Sequence, residues 1–238
     1  MVQETELDNV EAYLKLIKQY KKSYCSENFH SFLFRGQSGD YPLMPKLCRL
    51  KSRGSLLDTE KKLLQEFKRT NPLLIEQHRP LDDWDYLTLG QHFGLPTRFL
   101  DWTNNALTAL WFATRPGESE NGYSIVWILV AEESDFMMAL EAIHPFDIDQ
   151  TQLIMPRIIK QRINNQSGVF SITSSNELLA GLKMDESDYY QKKLIKVKVP
   201  TGKHNEIRQD LNTLGINAFS VFPELEGLCA YLQWRYFE

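Results

Sequence analysis

Cysteine is scarce: Cys25, Cys48 and Cys229 are the only three in 238 residues. An odd, widely spaced set suggests neither a disulfide framework nor a zinc knuckle, and it suits a reducing cytoplasm, the expected location. The five histidines, His30, His78, His92, His144 and His204, are too scattered in sequence to suggest a metal cluster, so no metal cofactor is expected. Long apolar runs are missing as well. The longest, Ile125 to Ala131, is far too short for a bilayer span, which needs about 20 residues, so no membrane partner is expected. The opening residues carry Glu4, Glu6 and Asp8 and lack the basic-then-apolar pattern of a secretory signal. A net charge of −4 gives no global pull toward nucleic acid or acidic lipid and leaves only local patches. No G-x-x-x-x-G-K followed by Ser or Thr occurs, nor G-x-G-x-x-G, H-E-x-x-H or G-x-S-x-G. These gaps exclude the common motif-borne sites. A site assembled from distant residues stays open.

The composition that remains, 42% hydrophobic and 24% charged, is that of an ordinary globular domain. Asp8 with Glu11 forms a capping pair for a helix carrying Val10, Leu14 and Ile17, an amphipathic cover over residues 1–28. His30 to Arg35 alternates as a strand that puts Arg35 opposite Phe32 and Phe34. Pro42 and Pro45 predict an irregular stretch through Arg49. Asp58 caps a helix with Leu63, Leu64 and Phe67 inward, stopped at Asn71-Pro72. A second helix begins near Asp82 or Asp83, buries Trp84 and Leu87, and delivers Gln91 and His92 on its last turn. Tyr123 to Ala131 reads as an interior strand, Ser134 to Ile143 as a short helix, Arg157 to Ile163 as another, and Val169 to Thr173 as a strand after the Gln166–Gly168 turn. Lys193 to Val199 alternates cleanly, with its lysines on a solvated face. A helix through Ile207 and Leu211 ends at Gly215, a strand follows over Ile216 to Phe222, and a closing helix buries Cys229. No linker or repeat interrupts the chain. The expectation is one α+β domain over residues 1–238, its core over 29–238, with helices mainly in the N-terminal half packed on a mixed sheet formed mainly by later strands.

The stretch Gly90 to Ala113 is the least ordinary. Gly94 and Pro96 stop the preceding helix, so Thr97 to Asp101 runs extended. Asn104 or Thr103 then caps a nearly uncharged, buried helix with Ala106, Leu107, Leu110, Trp111 and Ala113. Gln91, His92, Arg98, Asp101 and Trp102 thus sit beside a core, where polar groups are costly unless paired or used. Arg98 and Asp101, three apart on an extended segment, face opposite sides.

Phe34-Arg35-Gly36-Gln37, the string QHFGLPTRFLDWT from Gln91 to Thr103, ALWFA from Ala109, RIIKQ and QSGVFSI between Arg157 and Ile172, and GINAFSVFPELEGL from Gly215 resemble the FRG domain family. Phe99, Asn105-Ala106, Glu224 and Glu226 stand where that pattern more often has Leu, Asn-Pro and aspartates. A weaker, fold-level likeness to ADP-ribosyltransferases comes from the order of Arg35 on an early strand, Thr103 before an Ala109/Ala113 helix, and Glu224 near the end.

That resemblance implies an NAD-consuming transferase acting as an effector, toxin or phage-defence component. NAD would be the substrate, and the acceptor an unknown protein or nucleic acid; an antitoxin or partner protein fits such a role. Arg35 and Gln37 would hold the dinucleotide, the planar guanidinium matching a phosphate or ribose edge. Gln91, Arg98, Asp101, Trp102 and Thr103 would complete the cofactor pocket, Trp102 by stacking. His92 would act as base or ligand contact, and Glu224 or Glu226 would serve the ribose as a carboxylate does in glycoside cleavage. Plainer roles compete at every position: an Arg35–Asp101 ion pair, a packing Trp102, a capping Thr103, and acids favoured at a helix start. A non-catalytic module binding a nucleotide-like or protein ligand through the same pocket is the alternative.

Overall fold

The computed structural model describes residues 2–24, 30–70, 80–117, 121–157 and 168–237. Its centre is a seven-stranded mixed sheet of order β1-β7-β4-β2-β3-β6-β5, built from β1 (Gln3–Glu6), β2 (His30–Gln37), β3 (Phe99–Thr103), β4 (Tyr123–Glu132), β5 (Gln152–Ile154), β6 (Gly168–Ile172) and β7 (Leu194–Pro200). Only β1 and β7 run parallel; every other neighbouring pair is antiparallel. Strand β1, for which the sequence carries no clear signal, adds to the sheet edge ahead of the first helix. Its Glu4 bonds Lys198 at 2.6 Å.

Among the described residues ten α-helices surround the sheet. They are α1 (Val10–Ser23), α2 (Lys46–Arg49), α3 (Leu56–Thr70), α4 (Asp83–His92), α5 (Ala106–Ala113), α6 (Ser175–Ala180), α7 (Asp188–Gln191), α8 (His204–Thr213), α9 (Ala218–Val221) and α10 (Leu225–Phe237). One sheet face packs Phe34, Val126, Ile128, Val130, Ile195 and Val197 against Val10, Tyr13 and Ile17 of α1, Leu110 of α5 and Leu211 of α8. Farther along that face, Phe99, Phe170 and Ile172 meet Leu64 of α3 and Leu87 of α4. The opposite face buries Leu33, Leu100, Trp102, Trp127 and Leu129 under Leu43, Met184 and Tyr190. Strand β4 is buried along nearly its whole length, as its unbroken apolar run requires.

Several local expectations give way to the geometry. The α1 cap is Asn9, whose side chain accepts from the Ala12 amide at 2.8 Å. The expected cap, Asp8, instead accepts from the Asn9 side-chain amide. Asn105 caps α5, accepting from Leu107 and Thr108 at 3.0 and 3.2 Å; Thr103 instead accepts from the Asn105 amide at 3.1 Å. Helix α3 starts at Leu56, two residues before the expected cap Asp58. The proline-marked stretch contains α2, which starts just after Pro45, a position proline tolerates. Ser134–Ile143 forms two 3₁₀ turns, at Glu133–Asp135 and Leu140–Ala142. The strand expected over Ile216–Phe222 is the short helix α9, because Asn217 caps it through the Phe219 and Ser220 amides. The lysines of β7 are not simply solvated: Lys196 pairs with Asp40 at 2.8 Å and lies over the Trp127 ring. The helix expected over Arg157–Ile163 and the Gln166–Ser167 turn lie outside the described residues beyond Arg157. Among the described residues no helix is long and apolar enough to cross a membrane.

Candidate functional site

The site begins where the sheet splits. Strands β2 and β3 share one register pair, Phe34 with Thr103, whereas β2 pairs with β4 along eight positions, from His30 to Gln37. Beyond Phe34 the two strands part, and Arg35 fills the gap. Its Nη1 donates to the Asp101 backbone carbonyl at 2.9 Å and lies 3.6 Å from Asp101 Oδ2. The guanidinium thus occupies a place where ladder bonds would otherwise run.

Packing explains why the residue after Arg35, Gly36, has no side chain. A Cβ there would stand 1.9 Å from the Ala109 carbonyl oxygen and 2.6 Å from the Ala113 amide nitrogen. Helix α5 therefore lies directly on β2, its alanines forming the contact, and this close seating brings Phe112 beside Arg35. On the other wall, α4 starts with a full capping box between Asp82 and Asp85 and ends with Gln91 and His92. Gly94, at φ +85°, reverses the chain so that β3 returns beneath that last turn. A left-handed residue of this kind is the ordinary close of a helix.

The result is a cleft of about 300 Å³ lined by Phe34, Arg35, Gln91, His92, Asp101, Trp102, Thr103, Phe112, Phe170 and Phe222, with Gly36 and Gly168. Its polar side is one connected chain. Gln91 donates from Nε2 to Asp101 Oδ2 at 2.9 Å, Thr97 donates to Gln91 Oε1 at 2.5 Å, and the Phe99 amide donates to Thr97 Oγ1 at 3.1 Å. Asp101 is held at one oxygen yet 58% exposed, while only 15% of the Arg35 side chain reaches solvent. Burial holds the Arg35 guanidinium below its ordinary pKa, with Asp101 opposing that shift and Arg49 adding to it. Arg35 Nε is buried and has no hydrogen-bond partner among the described residues. A buried N–H left unmatched is uncommon and calls for an explanation such as a ligand or ordered water. The His92 ring stands edge-on to Phe93 at 5.1 Å.

Six residues singled out from sequence therefore meet: Arg35, Gln91, His92, Asp101, Trp102 and Thr103. Trp102 shows the cleft little surface, being packed in the core with its indole donating to Ser171 Oγ at 3.1 Å. Four others lie elsewhere. Gln37 is buried away from the cleft lining, and its Oε1 accepts from the Trp127 indole at 2.8 Å. Arg98 is sealed in the interior against Glu60, at 2.9 and 2.5 Å through both arms of its fork. Glu224 and Glu226, at the start of α10, are not among the cleft's lining residues.

The sequence reading missed the aromatic walls. Phe112 sits within ALWFA and Phe222 within SVFPELEGL, so both blocks were visible, but nothing in their spacing shows that they meet. In the fold their rings are 5.8 Å apart at 87°.

A larger hollow of about 820 Å³ lies between α4 and the Phe136–Ala142 and Ile154–Arg157 segments. Its lining is mainly apolar, and two of its three acids, Asp82 and Asp85, are already engaged by Arg157. The smaller cleft is the one with converging polar groups, which marks a ligand site better than size does. Among the described residues no group of three or more His, Cys, Asp or Glu is placed to hold a metal ion.

Comparison with the curated proteins and with the solved structures yields no match. The model of the FRG domain family matches residues 30–122, the span that supplies Phe34, Arg35, Gly36, Gln91, His92, Asp101, Trp102, Thr103 and Phe112 to the cleft. Over those residues the chain is similar to the FRG domain family.

Proposed function

We propose that the Arg35 cleft binds NAD by its nicotinamide-ribose end and that the protein transfers ADP-ribose to a macromolecular acceptor, as a toxin or phage-defence effector would. The observation that carries this reading is the Arg35 guanidinium: anchored at Nη1, unmatched at Nε among the described residues, and walled by aromatic rings. A fixed cation with a spare donor beside apolar rings suits a ligand joining a flat heterocycle to an oxygen-rich group. The cleft volume of about 300 Å³ is at the low end for ligand sites, so one ring-and-sugar unit enters and the rest of the dinucleotide lies outside.

In the reaction, the bond between ribose C1′ and the nicotinamide nitrogen breaks and its electron pair leaves with neutral nicotinamide. The acceptor's nitrogen or oxygen bonds to C1′ and gives up its proton. Asp101, the carboxylate lining the cleft, takes the part expected from sequence for Glu224 or Glu226. It stabilises positive charge developing on the ribose and accepts the acceptor's proton, with Gln91 orienting it. Incubation with NAD labelled in the adenosine half, in cell extract, tests this. Nicotinamide release and label transfer are expected, lost in Asp101→Asn and in Arg35→Lys.

A second reading, a non-catalytic module for a nucleotide-like ligand, is favoured by the position of Glu224 and Glu226 away from the cleft lining. It holds if NAD binds the pure protein, Arg35→Ala weakens that binding, and neither nicotinamide release nor transfer occurs with any extract.

A further inference from the structure

Helix α10 is apolar almost all round. Its thirteen residues, LEGLCAYLQWRYF, contain three strongly polar side chains, Glu226, Gln233 and Arg235. A helix of that kind is ordinarily buried on every side, and the sequence predicts a core thiol at Cys229. The structure does otherwise: Gly227 is the one buried residue among those of the helix.

Gly227 marks the face that is used. A Cβ there would stand 1.9 Å from the Phe222 carbonyl oxygen and 2.9 Å from that of Ala218, so α10 lies hard against α9. Tyr231 and Trp234 share this face and line a small recess with Trp111, Arg208 and Ile216. At 3.6 residues per turn, the opposite side carries Leu225, Cys229, Leu232 and Tyr236, spaced four, three and four apart and within roughly 60° of one another. This is the spacing of a two-helix seam. All four are exposed, Leu225 at 77% and Tyr236 at 69%, and Phe237 follows at 87%.

We infer that this stripe is the contact between two copies of the chain, packed as an antiparallel α10 pair about a two-fold axis. The stripe is its own complement. A two-fold near residues 230 and 231 sets Leu225 on Tyr236 of the second copy and Cys229 on its Leu232. Glu226 lies at one end and Arg235 near the other, so the antiparallel arrangement brings opposite charges to each end, and the helix dipoles oppose. The exposed apolar patch amounts to roughly 500 Å² per copy. Doubled, it reaches about 1,000 Å², the lower limit of a specific interface. Area alone sets no affinity, so the equilibrium is sought from about 1 μM into the hundred-micromolar range.

Sedimentation of the whole chain across that range tests the inference. The expected result is a reversible monomer–dimer equilibrium, shifted at least about tenfold toward monomer in Leu232→Glu and, separately, in Leu225→Glu. Both positions are exposed, so circular dichroism matching the unaltered chain is expected of each variant. A protein that stays monomeric into the hundred-micromolar range, or a dimer untouched by either variant, overturns the inference; the former result would assign the stripe to a different protein.

Discussion

Replacing Glu60 by Gln is the sharpest test of how Arg98 is used. Arg98 and Glu60 are 1% and 2% exposed and meet through two charge-assisted bonds, at 2.9 and 2.5 Å. The guanidinium also stacks on Phe146 at 4.7 Å and donates to the Pro145 and Thr173 carbonyls at 3.3 and 3.4 Å. Glu60→Gln keeps the shape and removes the negative charge, leaving a buried cation facing an amide. Breaking a buried pair from one side costs about 3–5 kcal/mol. That is a large part of the roughly 5–15 kcal/mol that holds a domain folded. At about 2–4 °C per kcal/mol for a chain of this size, the melting temperature should fall by roughly 6–20 °C.

Removing both partners differs in kind. Arg98→Met with Glu60→Leu leaves no unpaired charge, so the double variant should recover most of the loss and show a coupling of at least about 2 kcal/mol. Urea unfolding of the unaltered chain, Arg98→Met, Glu60→Leu and the double variant, with calorimetry, supplies the cycle, and NAD titration adds the functional arm. The double variant should keep whatever NAD affinity the unaltered chain has, because Arg98 anchors the start of β3 from behind and is not a cleft wall. A Glu60→Gln loss below about 1 kcal/mol, or a double variant as unstable as the sum of the singles, would refute the argument.

Gly36→Ala should destabilise by about 3 kcal/mol or more, since the new methyl meets α5 backbone that cannot rotate away; a variant with an unchanged urea midpoint would show that α5 can lift. His204 offers a pH signature. Its Nε2 is 2.9 Å from Ser124 Oγ, and burial, opposed by a Val199 backbone bond and helped by Arg208, holds its pKa below the usual 6.5. The unfolded chain therefore takes up that proton first as pH falls, so stability is complete above about pH 6.5 and declines below it. Melting scans at pH 7.5 and 5.5 should show a smaller drop in His204→Gln than in the unaltered chain, and equal drops would remove His204 from the explanation.

What the sequence determined is what local periodicity and capping can carry. Strands β2, β4, β6 and β7 and helices α1, α4, α5 and α8 follow from alternation, from apolar spacing and from Asp82 before Trp84, because short-range sterics and caps suffice for them. Arg98 lies in a bend ahead of β3, so strand alternation does not set its direction. The concentration of polar residues between Gln91 and Thr103 is visible in the sequence, since a core stretch holds such residues only at a cost. Elements of four residues were the weak point. Helix α9 forms because the Asn217 side chain takes up the Phe219 and Ser220 amides, which outweighs the β preference of Phe219, Val221 and Phe222.

Only the tertiary structure decided which polar residues meet. Arg35 and Asp101 are partners because β2 and β3 part after one pair, and a register is a property of two strands. Gln37 and Arg98 fit a cofactor pocket equally well on paper, yet the Trp127 indole claims Gln37 and Glu60 of α3 claims Arg98. Phe222 enters the cleft from the C-terminal end while Glu224, two residues on, does not line it. Helix α10, apolar enough to be read as core, is held on the surface by its contact through Gly227. Burial and juxtaposition are set by the whole packing, and no window of sequence contains them.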